Sequence, residues 1–436
     1  MPCHRRLLLP IVIALGLVAH RLPAHPQGEI VSEGLAAIRA AAWHDASYRG
    51  EGTVVAVWDT GFSGIAELLG TELPPPDRVT VLGIGVEPSG EPTDPAGGRH
   101  GTAVAEIIHD IAPAAHLCLL ATPMDPPLGE VGAALLGFEP DVVVVSLYGG
   151  IACGGDGESA YEELLRELWD AGVLVVAAAG NEGESSWYGP FRDPNGDGIH
   201  DFRDYDDTLS FPVFAGDILE LRLHWDDPCR RSANRYDLLL YRGEELVAIG
   251  SADGGASIPV RRISLAGLPT GTYSVRIRKA PDAEPVPLHL RWINGRRIEY
   301  ATPYGSIGAV LPACSPFVLT VGAVNWHTGW LETYSSRGPS HQGLLKPELV
   351  APDHVQTQTT GATLEISGAF IGGFEGSSAA APHVAGAALL VKQAFPAFGP
   401  AELRDYLMEH AIDRGVPGAD MEFGAGIVCL PPPPQP

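Results

Sequence analysis

The stretch TVVAVWDTGF, residues 53–62, decides the fold that this sequence predicts. It begins with an unbroken apolar run, which is typical of a strand buried on both faces of a parallel sheet. Asp59 and Thr60 follow this run directly, so a carboxylate stands at the carboxyl end of the strand. Because the ligands of open α/β sheets bind at this edge, we expect chemistry here.

The same pattern continues on both sides of this stretch. Apolar runs such as HLCLLA (116–121) and DVVVVSL (141–147) alternate with helical periods such as SAYEELLRELWDAG (159–172). This alternation predicts an α/β fold with a doubly wound, mostly parallel sheet. Between residues 186 and 311 the segments instead alternate apolar and polar residues between Gly, Pro and Asp turns. The sequence therefore predicts that an all-β, sandwich-like insert interrupts the α/β domain.

The N-terminus is interpreted as an export signal. His4, Arg5 and Arg6 precede the apolar run from Leu7 to Ala19, which is too short for a comfortable membrane span. A retained membrane anchor or a buried N-terminal helix is the alternative. We expect a secreted or periplasmic protein without a stable membrane anchor. The predicted organisation is a signal peptide (1–24), the α/β domain in two parts (25–185 and 312–430), the β insert (186–311) and a Pro-rich tail (431–436).

The composition excludes one class of partner and leaves the redox state open. The net charge is −25, with 28 Lys and Arg against 53 Asp and Glu, so a nucleic-acid-binding surface is not expected. Six cysteines are present, and Cys3 would leave with the signal. The remaining five allow two disulfides and one free thiol in an oxidising compartment, with the pairing undetermined. Cys118 lies in an apolar run and is expected to be a buried thiol.

The stretch GSSAAAPHVAG, residues 376–386, places Ser378 at the start of a predicted helix. There the helix dipole and free N–H groups favour the negative charge that a serine nucleophile develops. A serine before a helix is by itself usually a cap, so it needs a base, an orienting acid and an oxyanion donor. Asp59, His100 and Asn181 stand at strand ends or helix starts and offer these groups. Taken singly, each of them is more often a turn, cap or surface residue.

Taken together, these stretches resemble the subtilisin-like serine proteases (subtilases). The resemblance covers about residues 35–182 and 313–428, and includes ETYSSRGPS, KPELVAPD, DVVVVSLYGG and FVLTVGAV. It implies that Asp59 orients His100, that His100 is the general base, and that Ser378 is the nucleophile of an acyl-enzyme mechanism. It also implies that the Asn181 amide and the Ser378 N–H bind the oxyanion. The chain order Asp, His, Ser agrees with this family.

The same resemblance implies a substrate-binding region and shows several departures. Ser377 stands where the family usually has Thr, Ala379 where Met is common, and Ala103 and Glu106 where His and Gly are frequent. His383 is expected to pack within its helix rather than act as the base. The small residues leave room for a large apolar substrate side chain, which Tyr148 would partly fill. The expected substrate-binding residues are Ser146, Leu147, Tyr148, Gly149, Ala179 and Gly180.

An acidic loop, DPNGDGIHDFRD, stands at the head of the insert. Its residues have the spacing of an EF-hand-type calcium loop, with Asp in place of the final Glu. A solvated acidic turn is the alternative. We expect a structural calcium ion that fixes the junction between the domains, whereas the chemistry itself needs no cofactor. The expected ligands are Asp193, Asn195, Asp197, the Ile199 carbonyl, Asp201 and Asp204.

Two functions follow from the sequence. The first is a secreted serine endopeptidase that acts on polypeptide substrates. The alternative is a catalytically inactive subtilase-like scaffold whose β insert binds a polymer or a surface partner. The presence of all the expected catalytic side chains, Asp59, His100, Ser378 and Asn181, favours the first function.

Overall fold

A computed structural model describes residues 30–86, 98–147, 159–228, 231–252, 258–308, 310–366 and 369–435. The expected export signal, residues 1–24, lies outside these ranges. Within them the helices are α1 (Gly34–Ala37), α2 (Ala40–Asp45), α3 (Ile65–Leu68), α4 (His100–Ile111), α5 (Leu128–Gly137), α6 (Ala160–Asp170), α7 (Ser377–Ala394) and α8 (Pro400–Glu409). None of these helices is long and apolar enough to cross a membrane.

The strands fall into parallel and antiparallel groups along the chain. They are β1 (Val54–Asp59), β2 (Val79–Gly83), β3 (His116–Ala121), β4 (Val142–Val145), β5 (Leu174–Ala178), β6 (Ser186–Pro190), β7 (Leu209–Val213), β8 (Leu219–Trp225), β9 (Tyr236–Arg242), β10 (Glu245–Ile249), β11 (Ser251–Ala252), β12 (Val260–Leu265), β13 (Gly271–Lys279), β14 (Pro287–Trp292), β15 (Val318–Asn325), β16 (Leu349–Asp353), β17 (Thr363–Ile366) and β18 (Ala369–Gly372).

A seven-stranded sheet with the order β16-β15-β5-β4-β1-β3-β2 forms the centre of the α/β domain. All of its neighbouring strands are parallel. Alternate residues of β1 point to opposite sides, because Val55 and Val57 pack with α4 and α7, whereas Ala56 and Trp58 pack with α5 and α6. The predicted doubly wound sheet is confirmed, and the unbroken apolar run of β1 results from this burial on both faces.

Strands β6 to β14 form the predicted all-β insert. They make a four-stranded sheet, β10-β9-β13-β7, and a five-stranded sheet, β11-β12-β8-β14-β6, whose paired strands are antiparallel. One apolar cluster lies between the two sheets and includes Leu221, Leu238 and Val275. On β8 these inward residues alternate with half-buried polar ones such as Glu220 and Arg222. The fold class predicted from the sequence, an α/β domain interrupted by a β insert, is therefore confirmed.

A close helix crossing brings two ends of the α/β domain together. Gly386 of α7 lies against Ile111 of α4, where a Cβ on the glycine would stand 2.6 Å from the Ile111 Cβ. Only a residue without a side chain permits this approach without a shift of the helices. The first residues of both helices, His100 and Ser377, lie at the edge where β1 and β5 end.

The cysteines differ from one expectation. Cys118, Cys314 and Cys429 are buried free thiols, and burial raises the pKa of Cys118 to about 11. The prediction of a buried thiol at Cys118 is confirmed. With three of the five cysteines free, two disulfides are excluded. Cys153 and Cys229 lie outside the described residues.

Candidate active site

Asp59 and His100 form an oriented pair at the carboxyl end of β1. His100 Nδ1 donates to Asp59 Oδ2 at 2.7 Å, and Asp59 Oδ1 accepts from the Thr60 N–H at 2.7 Å. Gly101 permits this approach, because a Cβ there would lie 2.8 Å from the Asp59 Cβ and 2.6 Å from Phe62. The Asp59 side chain is fully buried, whereas the His100 side chain is 26% exposed. The pair thus presents one edge of the imidazole ring at the surface.

The environment of His100 suits a general base. Burial lowers its pKa, but the charge of Asp59 and its hydrogen bond raise it by more, so the pKa lies above 6.5. Because Nδ1 donates its proton to the carboxylate, the neutral ring keeps its lone pair on Nε2. No other described residue hydrogen-bonds to this ring. The His100 ring also makes an edge contact with Phe374, at 5.4 Å between ring centroids, so it lies near the segment that leads to Ser378.

Ser378 lies in the first turn of α7, where backbone N–H groups lack intrahelical acceptors. Its Oγ donates to the Ser146 carbonyl at 3.1 Å, and Ser146 Oγ donates to the Ser378 carbonyl at 3.2 Å. Among the described residues, no hydrogen bond joins Ser378 Oγ to His100. The structure therefore holds the hydroxyl against the end of β4, and a rotation of its side chain must precede any proton transfer to His100.

Asn181 is fixed beside the start of α7 by a residue to which the sequence assigned no role. Ser377 donates to Asn181 Oδ1 from both its N–H, at 2.9 Å, and its Oγ, at 3.0 Å. The same Oγ accepts from the Gly180 N–H at 3.0 Å. The two protons of Asn181 Nδ2 therefore remain available to a ligand, because Nδ2 has no hydrogen-bond acceptor within the described chain. It lies against Gly376, where a Cβ would stand 2.8 Å from it.

Glu182 holds the backbone of Asn181 through a hydrogen bond, and the sequence did not predict this role. Its Oε2 accepts from the Asn181 N–H at 3.0 Å, and its own N–H donates to Ser336 Oγ at 3.1 Å. Glu182 is buried, which raises the pKa of its carboxyl group, although Arg291 and several hydrogen bonds lower it in part. The sequence does place an acidic residue directly after Asn181, the expected oxyanion donor. The spacing of the residues could not show that this carboxylate is buried and holds Asn181.

Four of the six expected substrate-binding residues are described, and they directly follow β4 and β5. Ser146 is buried and Leu147 is half-buried. Ala179 is fully buried within the core, and its N–H donates to Val321 at 2.9 Å. Gly180 has φ +99°, a conformation that favours glycine. Tyr148 and Gly149 lie outside the described residues.

His383 and Glu106 take structural positions. The His383 Nδ1–H donates to the Ala379 carbonyl at 2.8 Å, and Ser32 Oγ donates to Nε2 at 2.9 Å. Burial lowers the pKa of this imidazole to about 4, so the ring is neutral and enclosed. Glu106 is buried and accepts from the Gln358 N–H at 2.6 Å. His383 therefore packs within the core, as predicted.

The acidic loop is folded as a series of tight turns at the head of the insert. The Asp193 carboxylate accepts from the N–H groups of Gly196, at 2.8 Å, and Gly198, at 2.9 Å. Asp201 is 3% exposed, and its Oδ2 is buried without a hydrogen-bond partner. Burial raises the pKa of Asp201, and the neighbouring charges of Asp197, Asp207 and Asp193 raise it further, although a backbone hydrogen bond opposes them. A buried carboxylate oxygen without a partner, among other acids, fits a cation.

Ligand atoms converge more closely elsewhere. In the described ranges, one group of side chains could hold a metal ion: Glu332, Asp353 and His354. One carboxylate or imidazole atom of each residue lies within 4.8 Å of those of the other two. The carboxylates of the acidic loop do not form such a group. The six expected calcium ligands, from Asp193 to Asp204, thus remain a prediction.

Comparisons with known proteins agree with this architecture. Residues 306–426 match the Peptidase_S8 model, the subtilase family. Similar curated proteins include Subtilisin-like protease SBT1.9 of Arabidopsis thaliana, which is 37% identical over 105 residues, or 22% of this chain and 14% of that protein. Subtilisin-like protease SBT2.3 of the same plant is 37% identical over 91 residues, or 18% of this chain and 11% of that protein. The aligned segments thus span only a small part of these relatives.

A solved structure extends the likeness to nearly the whole chain. The CspB protease of Clostridium perfringens superimposes with a TM-score of 0.60 at 18% sequence identity. The superposition covers 91% of this chain and 97% of that one. At this identity the likeness concerns the fold alone.

Proposed function

From the premise that this chain belongs to the subtilase family, we propose that it is a secreted serine endopeptidase. The observation that carries the proposal is the 2.7 Å hydrogen bond between His100 Nδ1 and Asp59 Oδ2, together with the position of Ser378 in the first turn of α7. A buried carboxylate, a partly exposed imidazole and a serine at a helix N-terminus are the groups that acyl transfer requires.

The mechanism starts from the neutral imidazole. Ser378 Oγ leaves the Ser146 carbonyl and turns towards His100 Nε2, which takes its proton as the hydroxyl attacks the scissile carbonyl. The Asp59 carboxylate stabilises the resulting imidazolium. His100 then donates this proton to the leaving amine, and an acyl-enzyme forms on Ser378. A water molecule, activated by the same ring, hydrolyses the ester.

The oxyanion has two donors in this proposal. The first is Asn181 Nδ2. Ser377 donates two hydrogen bonds to the Oδ1 of the same amide, which orients the amide and leaves both Nδ2 protons free to donate. The Ser378 N–H lies in the first turn of α7, where the helix dipole also favours negative charge. Preorganised donors of this kind are the largest single contribution in many acyl-transfer enzymes.

A fluorophosphonate probe tests the proposal directly. We expect the probe to label one residue, Ser378, which peptide mapping identifies, and we expect the Ser378→Ala variant to remain unlabelled. Ser340→Ala is the matched control, because it removes a buried serine hydroxyl that hydrogen-bonds to the Leu344 N–H and has no role in the proposed mechanism. Absence of labelling in the unmodified, folded chain would favour the alternative of an inactive scaffold. Binding to polymers or to cell surfaces would then be measured on the full chain.

Two further parts of the proposal concern the surroundings of the protein. The basic and apolar start of the sequence supports export through the signal at residues 1–24. The partnerless carboxylate oxygen of Asp201 supports structural calcium in the acidic loop. Calcium should raise the Tm of the unmodified chain, whereas the Asp193→Asn variant should respond less. An equal Tm of the unmodified chain with calcium and with EDTA would contradict the proposed calcium site.

A further inference from the structure

A cluster of polar side chains lies beside the chain segment that leads to Ser378, and it has no role in the proposed mechanism. Its members are Glu332, Tyr334, Asp353, His354 and Glu375. One ligand atom each from Glu332, Asp353 and His354 lies within 4.8 Å of the others. Asp353 is fully buried, and the side chain of His354 is 10% exposed. We propose that this cluster is a binding site for a divalent metal ion of the zinc type.

The charge of the cluster supports a cation. It holds three carboxylates, and among the described residues no lysine or arginine pairs with any of them. His354 is the cation of the group when it is protonated, and two negative charges then still remain. Burying uncompensated charge is costly, so a bound divalent ion balances the site.

The hydrogen bonds leave Asp353 Oδ1 free, and His354 Nε2 has only a long contact, at 3.3 Å, with the Tyr334 hydroxyl. Asp353 Oδ2 accepts from the Tyr334 hydroxyl and from the Gly376 N–H, but Asp353 Oδ1 is buried without a partner. His354 Nε2 lies 3.6 Å from Glu332 Oε1, which is close to the separation of two ligands on one zinc ion. We therefore assign Asp353 Oδ1, Glu332 Oε1 and His354 Nε2 as the ligands.

Outer contacts complete this arrangement. His354 Nδ1, the ring nitrogen that would not bind the metal, makes no hydrogen bond, but a carboxylate oxygen, Glu375 Oε1, lies 3.5 Å from it. Metal-binding histidines usually donate this second N–H to a carboxylate. His354 also has φ +54°, a backbone conformation that non-glycine residues seldom adopt. The presence of an imidazole in the set favours zinc over calcium or magnesium, which prefer ligands made only of oxygen.

The site would act on the nucleophile segment. The Gly376 N–H that donates to Asp353 Oδ2, at 3.1 Å, stands two residues before Ser378. Glu375 Oε1 accepts from the Gly372 N–H at 2.9 Å, so the same carboxylate holds the preceding turn. A metal ion bound to Asp353 thus restrains the chain that carries Ser378 and links metal occupancy to reactivity.

Isothermal titration with zinc tests the site independently of the peptidase function. The full chain carries Ser378→Ala to prevent self-cleavage, and the buffer contains saturating calcium to fill the acidic loop. We expect one zinc ion per chain, and at least a tenfold loss of affinity in both His354→Gln and Glu332→Gln. His116→Gln, which changes a half-buried histidine on β3 outside the cluster, should bind zinc as before. Zinc binding that is absent, that calcium displaces, or that both cluster variants retain would overturn the proposal.

Cobalt provides a second measurement on the chain with an intact cluster, should the cluster variants fold poorly. Cobalt(II) bound to mixed nitrogen and oxygen ligands gives visible absorption bands. One equivalent of cobalt should produce these bands, and one equivalent of zinc should abolish them. If no bands appear at stoichiometric cobalt, the cluster is an ion-pair network around protonated His354 and not a metal site.

Discussion

Two histidines, one at the rim of the parallel sheet and one in the β insert, face opposite environments. His100 is partly exposed and hydrogen-bonded to Asp59, and its pKa lies above 6.5. His289 on β14 is fully buried, and neither of its ring nitrogens has a partner among the described residues. Burial lowers the pKa of His289 well below 6.5, and the neighbouring Arg291 and histidines lower it further.

The difference shows what makes a histidine reactive. Burial alone keeps the ring neutral and closed to substrate, as at His289, where His341 and Tyr188 pack against it. A carboxylate partner and an open edge, as at His100, allow the ring to take up and release a proton. The first kind of histidine stabilises the fold only while it remains neutral, whereas the second kind performs chemistry.

Replacing the two histidines should separate these roles most clearly. We expect His100→Ala to lower kcat by about 10⁶-fold, the size known for the triad of subtilisin. His289→Leu should leave kcat within about twofold, because the aromatic rings that pack against His289 are those of Tyr188 and His341, which have no role in the proposed mechanism. Steady-state kinetics on a peptide substrate measure both. A similar loss in the two variants would show that the comparison is wrong.

The oxyanion donor should have the next largest effect. Asn181→Ala removes the amide that Ser377 holds in place, and we expect a loss of about 10²–10³ in kcat with little change in KM. Ser377→Ala keeps the amide but frees it to rotate, so its loss should be smaller. Rate measurements under saturating substrate test this order. A larger loss in Ser377→Ala than in Asn181→Ala would contradict the assigned roles.

The pH dependence of activity should follow His100. The base must be neutral, so kcat/KM should fall about tenfold per pH unit below its pKa. Because Asp59 raises this pKa above 6.5, the acid limb should begin above pH 6.5. His289→Leu should show the same profile in kcat/KM measured between pH 5 and 9. A profile that stays flat down to pH 5 would exclude His100 as the base.

The pH dependence of stability should follow the buried histidines instead. A histidine whose folded pKa is lowered binds a proton only after unfolding, so its contribution is present above pH 6.5 and is lost as the pH falls. For His289 alone this is a slope of up to about 1.4 kcal/mol per pH unit. Urea unfolding of the His289→Leu variant should show a shallower acid loss than the parent chain. Identical slopes would mean that His289 is protonated in the fold.

Much of the fold could be predicted because local patterns of apolar and polar residues indicate which faces of a strand are buried. The unbroken apolar run of β1 and the alternation on β8 directly reflect burial on two faces and on one face. The positions of Asp59 and His100 follow from strand and helix ends. A histidine beside a small residue, His100-Gly101, is also a local signal.

The rest depended on contacts between residues distant in the sequence. Ser146 and Ser378 exchange hydrogen bonds across 232 positions, and Ser377 reaches Asn181 across 196. Neither pairing has a local pattern, because the hydrogen bonds form only when β4, β5 and α7 meet. The cluster around Asp353 was missed for the same reason, since Glu332 and Glu375 come from two different loops.

In the proposed mechanism the Ser378 hydroxyl leaves the Ser146 carbonyl and reacts together with His100 and Asn181. A crystal structure of the phosphonylated protein would show this arrangement. We expect the phosphorus on Ser378 Oγ, with one phosphonyl oxygen about 3 Å from both Asn181 Nδ2 and the Ser378 N–H. His100 Nε2 should lie within hydrogen-bonding distance of Ser378 Oγ. A phosphonyl group on another residue, or an oxygen turned away from Asn181, would contradict it.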